Sequence, residues 1–333
     1  MPFDSILNSL IYKNSKLFYN IKSILRYAAP KFLFAGRRRR ILNSLNSYDE
    51  KEIRARVDYY NKLQNKTALP AGSTALADFK YLRRSKGKSS LTTYFFDTYE
   101  YTRFFRDNLK FYYAFGDVQY VPPQPSIVKS RPVEGDNANS VLLNLDKLRH
   151  FMFVEDKKSF REKKDMLVGR GYITQPHRIK FWEMYFNHPM CDLGQTNKNS
   201  DRPHWTKNFM NIGQHLDYKF ILCLEGNDVA TNLKWVMSSN SLAVMPRPKY
   251  ETWFMEGRLI PNHHYVEIKP DFSDLEERLK YYIARPQEAE KIIKNAHAWV
   301  KQLRDKKKED LISILVLQKY FDITGQDVKP RVK

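Results

Sequence analysis

The chain has 333 residues, 42% of them hydrophobic and 14% aromatic, which is enough apolar material for two folded domains and argues against intrinsic disorder. Its 57 Lys and Arg against 37 Asp and Glu leave a formal net charge of +20, which predicts an anionic partner: nucleic acid, anionic lipid or a phosphorylated substrate. With Cys191 and Cys223 as its two cysteines, the sequence excludes a disulfide framework, and it contains no apolar run of the ~20 residues that a membrane span needs.

The first forty residues differ in character from the rest. Apolar residues recur at helical spacing from residue 6 to residue 25, basic residues lie between them, and residues 37–40 are four consecutive arginines. Two interpretations stay open. Residues 1–40 could lie on an anionic membrane as a basic amphipathic helix, or the helix could pack on the body of the protein and expose a basic rim. We treat residues 1–48 as a basic, helical N-terminal extension.

Residues 49–160 are predicted to form the first lobe. A charged helix is expected over residues 49–66, and residues 111–115 are expected to form a strand that ends at Gly116 and Asp117, just before a proline-rich loop. A carboxylate at a strand end can act as general base toward an acceptor hydroxyl, although most such Asp residues only cap a turn. Asp117 is therefore a candidate catalytic residue.

From residue 165 the pattern becomes α/β, and residues 161–305 are predicted to form the second lobe. Buried strands are expected at residues 166–168, 220–224, 241–245 and 264–268, with helices at 178–186, 229–238, from Ser273, and at 288–303. This alternation predicts a parallel sheet covered on both faces, which binds ligands outside the carboxyl ends of its strands. Residues 306–333 are expected to form a helix and tail that cross back to the first lobe.

One glycine-containing break follows the predicted strand at residues 220–224. Gly226 allows the backbone to approach a ligand, the N-terminus of the predicted next helix would point its N–H groups at an anion, and Lys234 could add charge. The segment lacks the further glycines of a dinucleotide fingerprint and the Gly-Lys-Ser/Thr of a P-loop. The alternative is an ordinary helix start capped by Asn227 or Asp228.

A second glycine-containing break, at residues 169–171, could also bind an anion. Arg170 and Arg178 flank this glycine-containing loop, and arginine binds phosphate in a bidentate manner, while the plainer interpretation is a surface turn before a basic helix. The eight histidines form no metal-binding pattern, and no Asp-X-Asp follows a strand in the α/β half. We therefore predict no metal site and no cofactor.

The order of several segments resembles glycosyltransferase family 90. The segments are residues 218–235 (beginning Tyr-Lys-Phe-Ile-Leu-Cys-Leu-Glu-Gly-Asn-Asp), residues 238–242, Trp253 and residues 261–266, preceded by residues 129–132, 148–150, 163–165 and 170–171. The resemblance covers roughly residues 100–300 and is closest to the bacterial branch of lipopolysaccharide glycosyltransferases. It implies a GT-B fold, in which two Rossmann-like domains face each other across a cleft that binds the donor.

The resemblance also implies roles for particular residues. It implies an inverting, metal-independent transfer with Asp117 as base and Arg178 gripping the donor diphosphate. The remaining donor-binding residues that it implies, together with the glycine loop described above, are Arg170, Gly171, Thr174, Gly226, Asn227, Asp228, Thr231, Asn232 and Lys234. The chain departs from the family pattern at Tyr172 and Ile173, and Asn232 stands where animal members carry an arginine, a change for which Lys234 could compensate.

The predicted function is transfer of a sugar of the glucose or xylose class from a nucleotide-sugar donor, expected to be a UDP-sugar. The acceptor would be a hydroxyl of lipopolysaccharide or another cell-surface glycan, and the location would be the cytoplasm, at the inner face of the bacterial inner membrane. A nucleic-acid-binding protein is the alternative from another class, although no helix-turn-helix, zinc or RNP pattern supports it, so no nucleic-acid partner is expected. A catalytically silent glycan-binding adaptor with the same fold is the third possibility.

Overall fold

The computed structural model describes residues 16–81, 91–197 and 200–328. Its α-helices, in chain order, are α1 Lys16–Ala28, α2 Ala35–Asn43, α3 Glu50–Tyr60, α4 Leu91–Thr102, α5 Lys147–His150, α6 Pro176–Tyr185, α7 Ile212–His215, α8 Leu233–Val236, α9 Leu275–Ala284, α10 Pro286–Gln302 and α11 Lys306–Ile323. Its strands are β1 Thr74–Ala75, β2 Lys110–Ala114, β3 Ser126–Val128, β4 Arg131–Pro132, β5 Ser140–Leu142, β6 Lys164–Gly171, β7 Cys191–Gln195, β8 Tyr218–Leu222, β9 Leu242–Met245, β10 Tyr250–Glu251 and β11 Val266–Glu267. Short 3-10 helices lie at Lys31–Phe34, Ser44–Ser47, Phe160–Glu162, Pro203–Trp205 and Glu256–Arg258.

The described chain divides into two compact units. The first contains Arg149–Pro248 and Gly257–Gln302, and the second contains the described parts of Ser15–Leu148, Lys249–Glu256 and Leu303–Lys333. The predicted α/β class with parallel sheets is confirmed. Within the described residues, no helix combines the length and the apolarity that crossing a membrane requires. Residues 1–15 of the predicted N-terminal extension lie outside the described residues.

The first unit is built on a five-stranded parallel sheet. Its strand order is β11-β9-β8-β6-β7, and every neighbouring pair is parallel. The chain adds β7 on one side of β6 and then β8 on the other side, so the connections leave β6 and β8 in opposite directions. In open α/β sheets a ligand crevice lies at such a reversal, outside the carboxyl ends of the strands. The order of the strands thus points to the segments that follow β6 and β8.

Buried strands and the helices packed on them form the core of this unit. All five residues of β8 are buried, as expected for a strand covered on both faces. Helix α6 contributes Phe181, Trp182 and Tyr185 to the same hydrophobic cluster as Leu167 of β6 and Phe220 of β8. Because α6 follows β6 directly, this packing fixes the segment between them, residues 172–175.

The second unit has a smaller, mixed sheet. Its strand order is β1-β2-β3-β5, in which β1 is antiparallel to β2 and the other neighbours are parallel. A separate antiparallel pair joins β4 and β10. The predicted strand over residues 111–115 corresponds to β2, which ends at Ala114, and Gly116 then adopts a φ of +118° that favours glycine. The parallel pairing places the carboxyl ends of β2 and β3 side by side.

A buried polar cluster joins α11 to α3 in the second unit. Glu309 is buried and accepts hydrogen bonds from Arg56 Nη1 at 2.6 Å and Nη2 at 3.0 Å, and from the indole N–H of Trp253. The ring of Tyr60 stacks on that of Trp253 with centroids 3.8 Å apart. Since a buried charge is costly unless it is paired and hydrogen-bonded, this cluster fixes how the C-terminal helix docks on α3.

Two sequence-based expectations in the first unit were wrong. Gly169 and Gly171 do not break the strand, because β6 runs from Lys164 to Gly171 and pairs with β7 up to its last residue. The glycine at 169 instead permits close packing: a Cβ there would lie 2.9 Å from Leu193 Cδ2 and 3.2 Å from Leu222 Cδ2.

The expected helix over residues 229–238 is also wrong, because only α8, Leu233–Val236, is helical within that stretch. The segment after β8 stays non-helical: the Gly226 N–H donates to the Asp228 carbonyl at 2.9 Å, and the Asn232 side chain donates to the Leu222 carbonyl at 2.9 Å. Such local bonds compete with helix formation. No helix therefore begins at Asn227. The helix expected from Ser273 is confirmed as α9, and its N-cap is Asp274.

Substitution of Gly169 tests the packing explanation. We expect Gly169→Ala to lower the melting temperature by several degrees, because the added Cβ overpacks the space beside Leu193 and Leu222, a change that typically costs about 1–3 kcal/mol. The measurement is thermal unfolding followed by circular dichroism. Gly36→Ala in α2 is the matched control, since a Cβ there meets nothing within 4 Å and alanine favours a helix. Equal melting temperatures for the Gly169 variant and the unmodified protein would contradict the explanation.

Candidate functional site

The side chain of Arg178 joins the segments that follow β6 and β8. Its Nη1 donates to the Tyr172 carbonyl at 2.9 Å, its Nη2 to the Leu224 carbonyl at 2.8 Å, and its Nε to the Glu225 carbonyl at 2.8 Å. The guanidinium is planar, so these bonds fix its orientation as well as its position. The positively charged guanidinium of Arg178 therefore lies at the point where the strand order reverses.

This cation is partly buried and lies among neutral carbonyl groups. Burial lowers the pKa of the Arg178 guanidinium, and no acidic group among the described residues opposes that effect. The partners of the guanidinium are neutral carbonyl groups, and arginine has more N–H donors than these bonds use. A partly buried cation gains more stability from an anion that reaches it than a fully exposed one does, because the local dielectric is lower than that of water. The geometry thus suits a phosphate or another anion.

Glycines and amide side chains surround the guanidinium. A Cβ at Gly226 would lie 3.4 Å from Arg178 Nη2, and one at Gly171 would lie 3.8 Å from Nη1, so both positions leave room beside the cation. Gln175 Nε2 donates to Asn227 Oδ1 at 3.1 Å, which links the two segments a second time. Side-chain hydrogen bonds therefore hold the two segments together. The helix N-terminus that was expected to bind the anion is absent here.

His177 strengthens the same junction. Its Nε2 lies 2.8 Å from the Glu225 carbonyl, which also accepts from Arg178 Nε. Three side chains from residues 175–178 thus contact the segment after β8. A carbonyl shared by two donors is held firmly, so the backbone at Glu225 and Gly226 is well positioned for a ligand.

Arg170 has a different environment from Arg178. Its Nη1 donates to the Asp192 carbonyl at 2.7 Å and its Nη2 to Asp192 Oδ1 at 2.8 Å, so Arg170 pairs with β7. Asp192 also accepts from Lys207 at 3.0 Å and from the Tyr218 hydroxyl at 2.7 Å. Burial raises the pKa of Asp192, but the bonds from Tyr218, Arg170 and Lys207 outweigh it and lower the pKa to about 2. Arg170 is thereby neutralised within the sheet.

The other predicted donor-binding residues fall into two groups. Thr174 and Asn227 are exposed, and Thr231 is partly exposed, so these side chains reach the surface. Asp228 is buried with 3% exposure, and Lys234 is completely buried in α8. Asn232 uses its side-chain amide to bind the end of β8. A ligand at the surface would therefore contact the exposed side chains directly. The buried side chains lie behind them in the interior.

Asp117 lies in the second unit, at the carboxyl end of the parallel pair of strands β2 and β3. Lys129 follows β3, and its ammonium lies 2.5 Å from Asp117 Oδ1. The lysine side chain is 1% exposed, whereas that of Asp117 is 28% exposed. The buried lysine thus holds a carboxylate that can still reach solvent. Ser130 adds a hydrogen bond to the Val118 carbonyl at 3.2 Å, which secures the chain after Asp117.

In the described part of the chain, no group of three or more His, Cys, Asp and Glu side chains could hold a metal ion. The absence of such a group does not show whether the reaction needs a metal, so metal independence stays a prediction. The thiols of Cys191 and Cys223 are both buried, and burial raises their pKa values, that of Cys191 to about 12. Neither sulfur therefore has the thiolate character that a nucleophile needs.

Sequence reasoning missed three residues, one that contacts Asp117 in the second unit and two that contact the segment after β8 in the first. Lys129 was noted within a motif but not as the partner of Asp117, and Gln175 and His177 were not assigned contacts. A lysine directly after a strand that neighbours the strand of Asp117 would have been the available signal. Reading that signal requires knowing that β2 and β3 are adjacent and parallel, which depends on the tertiary structure.

Comparison with known proteins adds independent findings. The sequence profile of glycosyl transferase family 90 matches residues 156–332. The chain is 44% identical over 271 residues to O-glucosyltransferase LpsA of Dichelobacter nodosus, a match that covers 81% of this chain and 83% of that protein. It is 26% identical over 181 residues to human Protein O-glucosyltransferase 3, covering 53% of this chain and 35% of that protein.

The contribution of the three hydrogen bonds donated by Arg178 can be tested by a conservative substitution. Arg178→Lys keeps the charge but cannot donate in three directions within one plane, so at least one buried carbonyl loses its partner, typically at a cost of about 1–3 kcal/mol. We expect the melting temperature to fall by several degrees. Arg247→Lys is the control, because Arg247 belongs to the same unit and its side chain is 71% exposed. If both variants have the melting temperature of the unmodified protein, the three hydrogen bonds of Arg178 contribute nothing to stability.

Proposed function

Since the chain belongs to glycosyltransferase family 90, it is a glycosyltransferase, and on that premise we propose that it transfers a glucose or xylose unit, with inversion, from a UDP-sugar to a glycan hydroxyl. The observation that carries the proposal is the partly buried cation of Arg178, held by neutral carbonyl groups at the reversal of the parallel sheet. A nucleotide diphosphate is an anion of the kind that such a position favours. The expected GT-B arrangement, with the donor in a cleft, is part of the proposal.

The proposed donor site uses the segments after β6 and β8. The diphosphate would contact Arg178 and the backbone at Gly226, where a side chain would otherwise stand 3.4 Å from the guanidinium. Thr174, Asn227 and Thr231 reach the surface near these segments in sequence and would contact the nucleotide or the sugar. As the bond between the sugar and the diphosphate breaks, negative charge grows on the leaving phosphate, and Arg178 would stabilise it.

Asp117 is the proposed general base. Its carboxylate would take the proton from the acceptor hydroxyl, whose oxygen forms a bond to the anomeric carbon on the face opposite the nucleotide. The bond from that carbon to the diphosphate breaks in the same displacement, so the configuration inverts and the nucleoside diphosphate leaves. Lys129 would position the carboxylate, because its buried ammonium lies 2.5 Å from Asp117 Oδ1.

The proposed acceptor is lipopolysaccharide or another cell-surface glycan assembled at the cytoplasmic face of a membrane. The name of the bacterial relative, O-glucosyltransferase LpsA, supports a glucosyl donor and an oxygen acceptor, since 83% of that protein is covered. A phosphorylated glycolipid also suits the formal net charge of +20 better than a neutral acceptor does. No metal or other cofactor is required by this mechanism.

The donor assignment can be tested by binding. We expect UDP-glucose or UDP-xylose to raise the melting temperature of the protein, and a panel of adenosine and guanosine nucleotides and their sugars to have little effect. Arg178→Ala should lose the shift, whereas Arg247→Ala, an exposed arginine of the same unit, should keep it. A protein that responds to no nucleotide sugar, and transfers none, would be a glycan-binding adaptor and not an enzyme.

The base can be tested separately from the donor site. Asp117→Asn removes the proton acceptor but keeps the shape of the side chain, so we expect kcat to fall at least about a hundredfold while the dissociation constant of the UDP-sugar stays within about twofold. The assay is the release of UDP with purified lipopolysaccharide as acceptor. Asp136→Asn, an exposed aspartate of the same unit, is the matched control and should keep its turnover. Wild-type turnover in the Asp117 variant would show that the base lies elsewhere.

A further inference from the structure

Helix α1 packs on the second unit through its polar and aromatic side. The Tyr19 hydroxyl donates to Asp97 Oδ1 at 2.9 Å, and Arg26 pairs with Glu100 at 2.8 Å, both on α4. Ser23 on the same side is 2% exposed. The ring of Tyr27 makes edge contacts with several aromatic rings of α4 and its surroundings, namely Phe95, Phe96, Tyr99 and Tyr81. Hydrogen bonds, an ion pair and ring contacts thus hold α1 to the body.

The opposite side of α1 is aliphatic and exposed. The side chains of Leu17, Ile21, Ile24 and Leu25 are between 49% and 71% exposed. At about 100° per residue these four lie within one stripe of the helix, so their exposure is a property of a face. A helix that only covers a globular body shows the reverse arrangement, with its aliphatic side inward. An exposed apolar face of this kind marks an interaction surface.

Basic residues border this face and continue along the body. Lys16 and Lys22 of α1 are exposed. Arg103 is influenced by cations on both sides: burial first, and then the guanidinium groups of Arg26 and Arg37, lower its pKa to about 10, with Glu100 opposing them. Arg26 of α1 and Arg37 of α2 therefore lie close enough to act on one side chain. Arg103 thus lies near cations of both helices.

A basic cavity lies beside α2, and Arg37 is one of the residues that line it. It has a volume of about 550 Å³ and is lined by Phe34, Arg37, Arg40, Ile41, Ser44, Lys307 and Asp310. Asp310, its acidic member, also binds Lys306 at 2.7 Å, so cations outnumber acids around the opening. Arg38, by contrast, is buried and anchors α2 by donating to the Val328 carbonyl at 3.1 Å and to Gln318. The remaining arginines of α2 are thereby directed outward.

We propose that α1 and this cavity form a docking surface for an anionic lipid bilayer, with α1 lying in the plane of the interface. The aliphatic side chains of Leu17, Ile21, Ile24 and Leu25 enter the boundary between head groups and acyl chains, and the cavity cations Arg37, Arg40 and Lys307 contact lipid phosphates. Charge complementarity selects this occupant: an apolar stripe bordered by cations matches an anionic interface better than it matches a purely apolar protein groove.

The proposal specifies how the protein would reach the membrane that carries its proposed acceptor, but the docking itself does not depend on the transfer reaction. The polar and aromatic side of α1 is occupied by the body, so the helix need not detach in order to bind. The docking surface is therefore formed by the folded second unit. It differs in this respect from a peptide that becomes helical only at the interface.

The test compares vesicles of phosphatidylcholine with vesicles that also contain phosphatidylglycerol, using the full chain in co-sedimentation. We expect binding to the mixed vesicles that weakens as salt is raised. The triple variant Leu17→Gln, Ile21→Gln and Leu25→Gln should bind at least about tenfold more weakly at every salt concentration. The double variant Arg37→Gln and Arg40→Gln should lose about fivefold per charge at low salt and little at high salt. Because the substituted aliphatic side chains are at least 49% exposed, the melting temperature should not change.

Variants at exposed residues of the first unit serve as controls for vesicle binding. Phe209→Gln, at an aromatic residue 78% exposed in the first unit, and Lys291→Gln with Lys294→Gln, at two exposed lysines of α10, should bind vesicles like the unmodified protein. Wild-type vesicle binding by the triple variant would overturn the proposal. So would a protein that is dimeric in sedimentation equilibrium and becomes monomeric in that variant, since the face would then join two copies. Asp117→Asn should keep vesicle binding, and the triple variant should keep the shift by UDP-sugar, so the docking and the transfer fail independently.

Discussion

Parallel pairing of neighbouring strands is the constraint on which the candidate site depends. It brings the carboxyl ends of β6 and β8 to one edge of the sheet in the first unit, and those of β2 and β3 to one edge in the second. Backbone carbonyls collect at such an edge and need donors. In the first unit Arg178 supplies them, and in the second Lys129 meets the carboxylate of Asp117. Both units thus hold a cation where their parallel strands end, Arg178 partly buried and Lys129 almost completely buried.

The high net charge has several uses that composition alone cannot separate. Some cations are neutralised in the core, as Arg56 is by Glu309 and Arg131 by Glu251. Others, such as Arg170, secure neighbouring strands through an acid within the sheet. Arg178 is partly buried with neutral partners, and Arg37, Arg39 and Arg40 of α2 are exposed. The last two kinds are the ones that an anionic ligand or surface can use.

The sequence predicted four of the five strands of the first unit, missed β7, and predicted the segments between the strands poorly. All residues of β8 and β9 are buried, and these mostly apolar runs are the strands whose burial follows from composition. Glycine was misleading, because Gly169 was interpreted as a turn and in fact allows Leu193 and Leu222 to pack closely. The expected helix after Gly226 failed because local hydrogen bonds from Asn232 and within residues 226–228 keep that segment irregular until Leu233.

By itself the sequence determined the α/β class, the family and the amphipathic character of α1, because apolar periodicity and the order of motifs are properties of the chain. Only the tertiary structure decided that Arg178 faces carbonyls, that Arg170 faces Asp192, that Lys129 supports Asp117, and that α1 turns its aliphatic side outward. The physical reason is that a helix or strand specifies which side chains share a face. What that face meets depends on elements distant in sequence, such as the Asp97 that accepts from Tyr19 across 78 residues.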